Sequence, residues 1–188
     1  MLSSRLRSRY SLWTMDYGPS TKNFAHIHYL CPQKQQQMKV LILMGSETDK
    51  PVMQEAQSYL QYFNITGDMV VASAHRNPEK VKDAVTNAPQ NGYGLIIAAA
   101  GMAAHLPGVV AAYTHLPVLG VPLEGGLPGG IDALYSIVQM PSGIPVGTLA
   151  VGKAGARNAA VLAARIFALG NPAVAERLEA FKQNGFRI

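Results

Sequence analysis

From Lys39 onward the chain alternates between two hydrophobic patterns. Short, nearly unbroken apolar runs occur at "KVLILM" (39–44), "DMVVASA" (68–74), "GLIIAAAG" (94–101), "LPVLGVP" (116–122) and "IPVGTLAVG" (144–152). Runs of this length bounded by turn residues predict strands buried on both faces. Between the first two lies "TDKPVMQEAQSYLQYF" (48–63), where Val52, Met53, Ala56, Tyr59, Leu60 and Phe63 recur at helical spacing. Asn77-Pro78 joins a capping residue to proline at a first helical position, which predicts a second helix over about 78–88. A third helix is expected at "IDALYSIVQM" (131–140), and two more at "ARNAAVLAARIFALG" (156–170) and "PAVAERLEAFKQNG" (172–185). Strands alternating with helices imply an α/β domain with a parallel sheet covered on both sides. Such sheets bind ligands beyond the carboxyl ends of their strands. The polar clusters of this chain fall at those ends.

Composition narrows the class. Hydrophobic residues make up 48% of the 188 positions and charged residues 14%, which fits a globular chain. The net charge of +5 invites a nucleic-acid reading, but its distribution withdraws it. Residues 1–37 hold Arg5, Arg7, Arg9, Lys22 and Lys34 against Asp16 alone, leaving 11 basic and 10 acidic residues from Met38 onward. A nearly neutral body has no phosphate-backbone footprint, so no nucleic-acid partner is expected. Nor is a membrane, since no run approaches the roughly 18 apolar residues of a span.

Residues 1–37 read differently from the rest. They lack a sustained period, end in a polar "QKQQQ", and hold the sole cysteine, Cys31, and the sole tryptophan, Trp13. Their Arg- and Ser-rich, acid-poor start shares features with organellar transit peptides and lacks the apolar stretch of a secretory signal. The segment is expected to be a flexible extension, or a start upstream of a second one at Met38. Residues 38–188 are then a single domain. A body without cysteine has neither disulfides nor thiolate metal sites, which points to a reducing cytoplasm.

Four clusters carry candidate chemistry. In "MGSETD" (44–49), a glycine turn precedes Ser46, Thr48 and Asp49 at a helix start, a setting that favours phosphate but is also ordinary capping. In "SAHR" (73–76), His75 stands directly against Arg76. A cation beside an imidazole disfavours its protonation, so the pair suggests either an accident of a solvated loop or an anion between the two side chains. Arginine suits a pair of phosphate oxygens, and an imidazole both gives and takes protons near neutrality. In "AAAGMAAHLPG" (98–108), small residues permit close backbone approach, with His105 free to cap, to orient or merely to satisfy a turn. In 136–160, Lys153 and Arg157 stand near a helix start, equally suited to a ligand or to solvent. No metal-ligand spacing or Ser–His–Asp order stands out.

Together, "MGSETD", "SAHR", "AAHLPG" and "SIVQMPSGIPVGTLAVGKAGARNA" closely resemble the N5-carboxyaminoimidazole ribonucleotide mutase family, the class I catalytic subunit of phosphoribosylaminoimidazole carboxylase. The resemblance spans about Lys39 to Leu169. It implies a three-layer flavodoxin-like fold, a homo-octamer, and a purine-biosynthesis isomerase working without metal or organic cofactor. The substrate is a small ribonucleotide handed on by an ATP-dependent N5-carboxylating synthetase. Matched by position, His75 is the proton shuttle, Ser46 and Arg76 hold the 5′-phosphate with help from Ser73, and Asp49 holds the ribose hydroxyls. Ala100, Gly101, His105 and Leu106 line the pocket for the migrating carboxylate. Two departures stand out. Met102 occupies a position where the family's "GGAAHLPG" form has glycine, and no role is carried onto the variable "LEGGLPGG" (123–130).

Two rivals remain. A carboxylase of the same fold acting directly on aminoimidazole ribonucleotide with carbon dioxide is expected to carry lysine after "SAH", where this chain has Arg76. A non-catalytic phosphate-binding flavodoxin-like module would account for "GSETD" and Arg76, but gives no reason for His75. A receiver-type signalling domain fits less well, since no acidic cluster follows the first strand.

Overall fold

The computed structural model describes residues 38–188, so the expectation for residues 1–37 lies outside the described residues. Five parallel strands form one sheet in the order β2-β1-β3-β4-β5. They are β1 (Lys39–Met44), β2 (Thr66–Val71), β3 (Leu95–Gly101), β4 (Val118–Leu123) and β5 (Gly147–Thr148). The helices are α1 (Lys50–Tyr62), α2 (Pro78–Thr86), α3 (Leu106–Ala112), α4 (Ile131–Val138), α5 (Gly152–Ala168) and α6 (Pro172–Gln183). This is the expected three-layer flavodoxin-like arrangement.

The strands read as continuous apolar runs because each face has its own core. In β1, Val40, Ile42 and Met44 join one cluster with Met53 and Leu60 of α1, Ala163 and Phe167 of α5, and Phe181 of α6. The intervening Leu41 and Leu43 enter the other cluster with Val81 of α2, Val110 of α3 and Ile137 of α4. Alternate side chains of a strand point to opposite faces, so both must be apolar when both are covered. Phe63, Tyr59 and Tyr62 close on Phe181 edge-on or tilted, with ring centroids 5.3–6.0 Å apart, which ties α6 to the end of α1.

Several elements differ from their sequence expectation. The fifth strand shrinks from 144–152 to two residues: Pro145 has no N–H to give a ladder, and the edge pairs on one side only. The second strand lies at 66–71 rather than 68–74, because Ser73 O turns back to accept from Asn77 N at 2.8 Å. Asn77 precedes α2 without capping it through its side chain, whereas Asn171 Oδ1 caps α6, accepting from Ala173 N at 3.1 Å and Val174 N at 3.3 Å. The seven-residue α3 is too short to display a helical period, so its extent was not predicted. Lys153 and Arg157 both pair with Glu55, at 3.6 and 3.0 Å, and so join α5 to α1 rather than reaching a ligand.

In the amino-terminal half of the sheet, Asp68 accepts from Lys39 Nζ at 2.8 Å and from Tyr93 Oη at 2.6 Å. These two hydrogen bonds hold the Asp68 carboxyl below its usual range. No described helix is long and apolar enough to cross a membrane.

Candidate functional site

The sheet order places β1 between β2 and β3, with the chain leaving it first toward β2 and then crossing to β3 on the other side. The crevice at that reversal is where an open parallel sheet has room for a ligand. Here it is a cleft of about 580 Å³, formed by the segments that follow β1, β2, β3 and β4. All nine residues expected from sequence line it: Ser46, Asp49, Ser73, His75, Arg76, Ala100, Gly101, His105 and Leu106.

The β1 segment is a closed capping box. Ser46 Oγ accepts from Thr48 N at 3.3 Å, and Asp49 Oδ2 accepts from Ser46 N at 2.9 Å. Burial raises the Asp49 carboxyl above its ordinary value, while the Ser46 N–H, Arg76 and the Gly45 backbone oppose that rise. Ser46 Oγ also accepts from Thr48 Oγ1 at 2.9 Å, which leaves its own hydroxyl proton to donate.

The β2 segment answers the question raised by adjacent His75 and Arg76. Their side chains diverge. Arg76 turns to β1 and donates through one guanidinium nitrogen to Gly45 O at 3.0 Å. His75 turns to β3, where its Nε2 lies 2.8 Å from His105 Nδ1 with the rings nearly perpendicular at 84°. Ser73 braces the turn between them. It is only 8% exposed, and its Oγ accepts from Arg76 N at 3.3 Å. A cation and a hydrogen-bonded pair of imidazoles are thus set apart across one cleft.

The two imidazoles form a single hydrogen bond, in which one nitrogen donates and the other accepts. That bond requires one nitrogen to be unprotonated, so the doubly charged pair cannot keep it. The nearby floor is Ala100–Gly101, at the end of β3. Gly101 suits that floor: a methyl group on it would lie 3.1 Å from Leu123 O and 3.3 Å from Glu124 O, a tight fit where β4 passes. Among the described residues no group of three or more His, Cys, Asp or Glu side chains is placed to hold a metal ion.

Thr48 of the first cluster lines the cleft as well, and sequence reasoning missed Ala103, Glu124 and Gly125, which also line it. Glu124 and Gly125 belong to the glycine-rich loop after β4, and only the register Gly101↔Leu123 reveals that this loop reaches the site. Met102 lines the cleft too, in a left-handed conformation with φ 55°, which explains why glycine suits its position.

Comparison with known proteins agrees with the geometry. The profile of the AIR carboxylase family matches residues 39–186. N5-carboxyaminoimidazole ribonucleotide mutase of Haemophilus influenzae is 53% identical over 146 residues, covering 78% of this chain and 89% of that protein. The mutase of the same name from Escherichia coli K12 is 51% identical over 145 residues, covering 77% and 86%. The crystal structure of Treponema denticola PurE superposes with a TM-score of 0.70 at 29% identity, covering 78% of this chain and 90% of its own. With its fold, its motifs and most of its length matched, the chain belongs to the AIR carboxylase family.

Proposed function

We propose that the chain is an N5-carboxyaminoimidazole ribonucleotide mutase of purine biosynthesis, producing 4-carboxy-5-aminoimidazole ribonucleotide by moving a carboxyl group from nitrogen to ring carbon. The observation that carries this reading is one cleft holding the His75–His105 pair beside the small-residue floor at Ala100–Gly101. The mutase relatives share about half of their aligned residues with it, which supports the same reaction.

The chemistry asks for little more. The carbamate N–C bond breaks, carbon dioxide departs, and the electron pair left on nitrogen takes a proton from His75. The enamine-like ring carbon then attacks carbon dioxide to form the C–C bond, and the proton on that carbon returns to His75. Atoms and charge balance without a further reactant. The floor supplies proximity for the attack, and the pair supplies general acid–base catalysis. In this reading Arg76 and Ser46 bind the 5′-phosphate. Arg76 has four N–H groups beyond the one on Gly45 O, and Ser46 keeps a donor proton. Ser73 assists by fixing the turn, Asp49 binds the ribose hydroxyls, and His105 with Leu106 completes the carboxylate pocket while His105 orients His75.

The test is interconversion of the two carboxylated ribonucleotides, without ATP or added bicarbonate, by wild type and His75→Asn. Wild type is expected to turn over, and the variant to lose roughly 10²–10⁴-fold in rate while staying folded. Efficient product only from aminoimidazole ribonucleotide plus bicarbonate would replace this reading with the carboxylase.

We further propose a homo-octamer, supplied by an ATP-dependent N5-carboxylating synthetase because the carbamate is labile. The exposed apolar face of α4, with Ile131, Tyr135 (63% exposed) and Val138, supports assembly. The cysteine-free body supports a cytoplasmic location. Residues 1–37 are an extension separable from the mutase domain at 38–188.

A further inference from the structure

The segment after β4 walls the cleft with Glu124 and Gly125, yet little in its own sequence fixes its shape. Four of the seven residues from Glu124 to Gly130 are glycine. Gly129 and Gly130 have left-handed backbones, at φ 71° and 66°, a turn that glycine makes without strain. Glycine also loses more conformational freedom on ordering than any other residue. A wall of this composition needs an anchor from outside.

Asp132 supplies one. It lies in the first turn of α4, a helix held in the core by Ala133 and Ile137. Its Oδ2 accepts from Leu127 N at 3.0 Å, the one side-chain hydrogen bond that residues 124–130 receive among the described residues. Gly126 lies against the same oxygen: a methyl group there would collide with Oδ2 and lie 3.2 Å from the carboxyl carbon. The other oxygen, Oδ1, is buried with no partner among the described residues. Stability alone does not favour a buried carboxyl with one oxygen unpaired.

We propose that Asp132 is a positioning residue for the cleft. It latches the glycine segment so that Glu124 and Gly125 already form the wall when the ribonucleotide arrives, an inference resting on the mutase reading above for its substrate. The imidazoles of His75 and His105 stand on the segments after β2 and β3, and the latch is on neither. Losing the latch therefore spares the chemical step and adds the ordering of the wall to the cost of substrate binding. KM rises and kcat holds.

The two contacts on Oδ2 supply the test, because Gly126→Ala collides with the carboxyl group that Asp132→Ala removes. In the full chain, Asp132→Ala is expected to raise KM for N5-carboxyaminoimidazole ribonucleotide about tenfold, with kcat within about twofold of wild type. Gly126→Ala alone is expected to raise KM similarly, but to add nothing to Asp132→Ala, where its methyl group has room. A merely structural role would lower the melting temperature without this split or this non-additivity. Should Asp132→Ala fail to fold, Gly126→Ala carries the test, since it leaves α4 intact. Faster hydrogen exchange at the Leu127 amide together with a raised KM is then expected, and either one at the wild-type value would overturn the latch. An unchanged KM in folded Asp132→Ala, a loss in kcat instead, or additive effects in the double variant would overturn it too and leave the mutase reading standing. No product from wild type would sink both.

Discussion

Ser46 and Asp49 hold each other before any ligand arrives, and that bond carries a cost. Burial raises the Asp49 carboxyl, so folding disfavours its ionised form. Its contribution to stability accordingly falls as pH rises from the ordinary value of 3.8 through the raised one. Asp49→Asn keeps an oxygen for the Ser46 N–H and removes the charge. It is expected to melt at or above wild type at pH 7 and level with it at pH 3, while KM rises about tenfold through the lost charged hydrogen bond to ribose. Thermal scans at the two pH values, with KM at pH 7, check both halves. A lower melting temperature at pH 7 would mean that burial is not the dominant influence on this carboxyl. Residues of this kind were legible in the sequence because their chemistry is local: a capping pattern, a histidine, an arginine. The direction in which His75 and Arg76 part was not legible, since it depends on which neighbouring segment each meets.

Among the elements, the central strands were legible and the edges were not. Strands β1, β3 and β4 are apolar on both faces because both are covered, whereas β5 was overread since an edge run with Pro145 looks as hydrophobic as a paired one. The Ala-rich α5 was readable as a helix, but the reason for Gly155 within it was not. Helix propensity alone would make Gly155→Ala a stabilising change of about 1 kcal/mol. The structure reverses that sign. A methyl group there would sit 1.7 Å from Ala150 O, backbone against which α5 is packed. Gly155→Ala is therefore expected to cost about 3 kcal/mol, read as a lowered urea midpoint with an unchanged slope. An unchanged midpoint would mean that α5 shifts freely over the 149–151 segment.

At the scale of the molecule, the two cores and the cleft described above are built from residues between 38 and 188. A chain beginning at Met38 is expected to sediment as the same octamer and turn over as fast as the full chain, while Tyr135→Glu in either length dissociates it. Assembly surviving Tyr135→Glu would remove α4 from the contact. The topology also leaves the sheet with two unequal borders. Among the described residues, the two-residue β5 offers almost no free backbone to a stranger, but β2 presents six residues along its outer side. A border of that length invites strand addition and aggregation unless something discourages it. Asp68 lies in the middle of β2, and its hydrogen bonds to Lys39 and Tyr93 hold its carboxyl below the usual range. A second β2 laid alongside would have to bring its own carboxylate near this one. The Lys39–Asp68–Tyr93 cluster is thus expected to guard colloidal behaviour, with Asp68→Ala turning turbid at lower protein concentration than wild type.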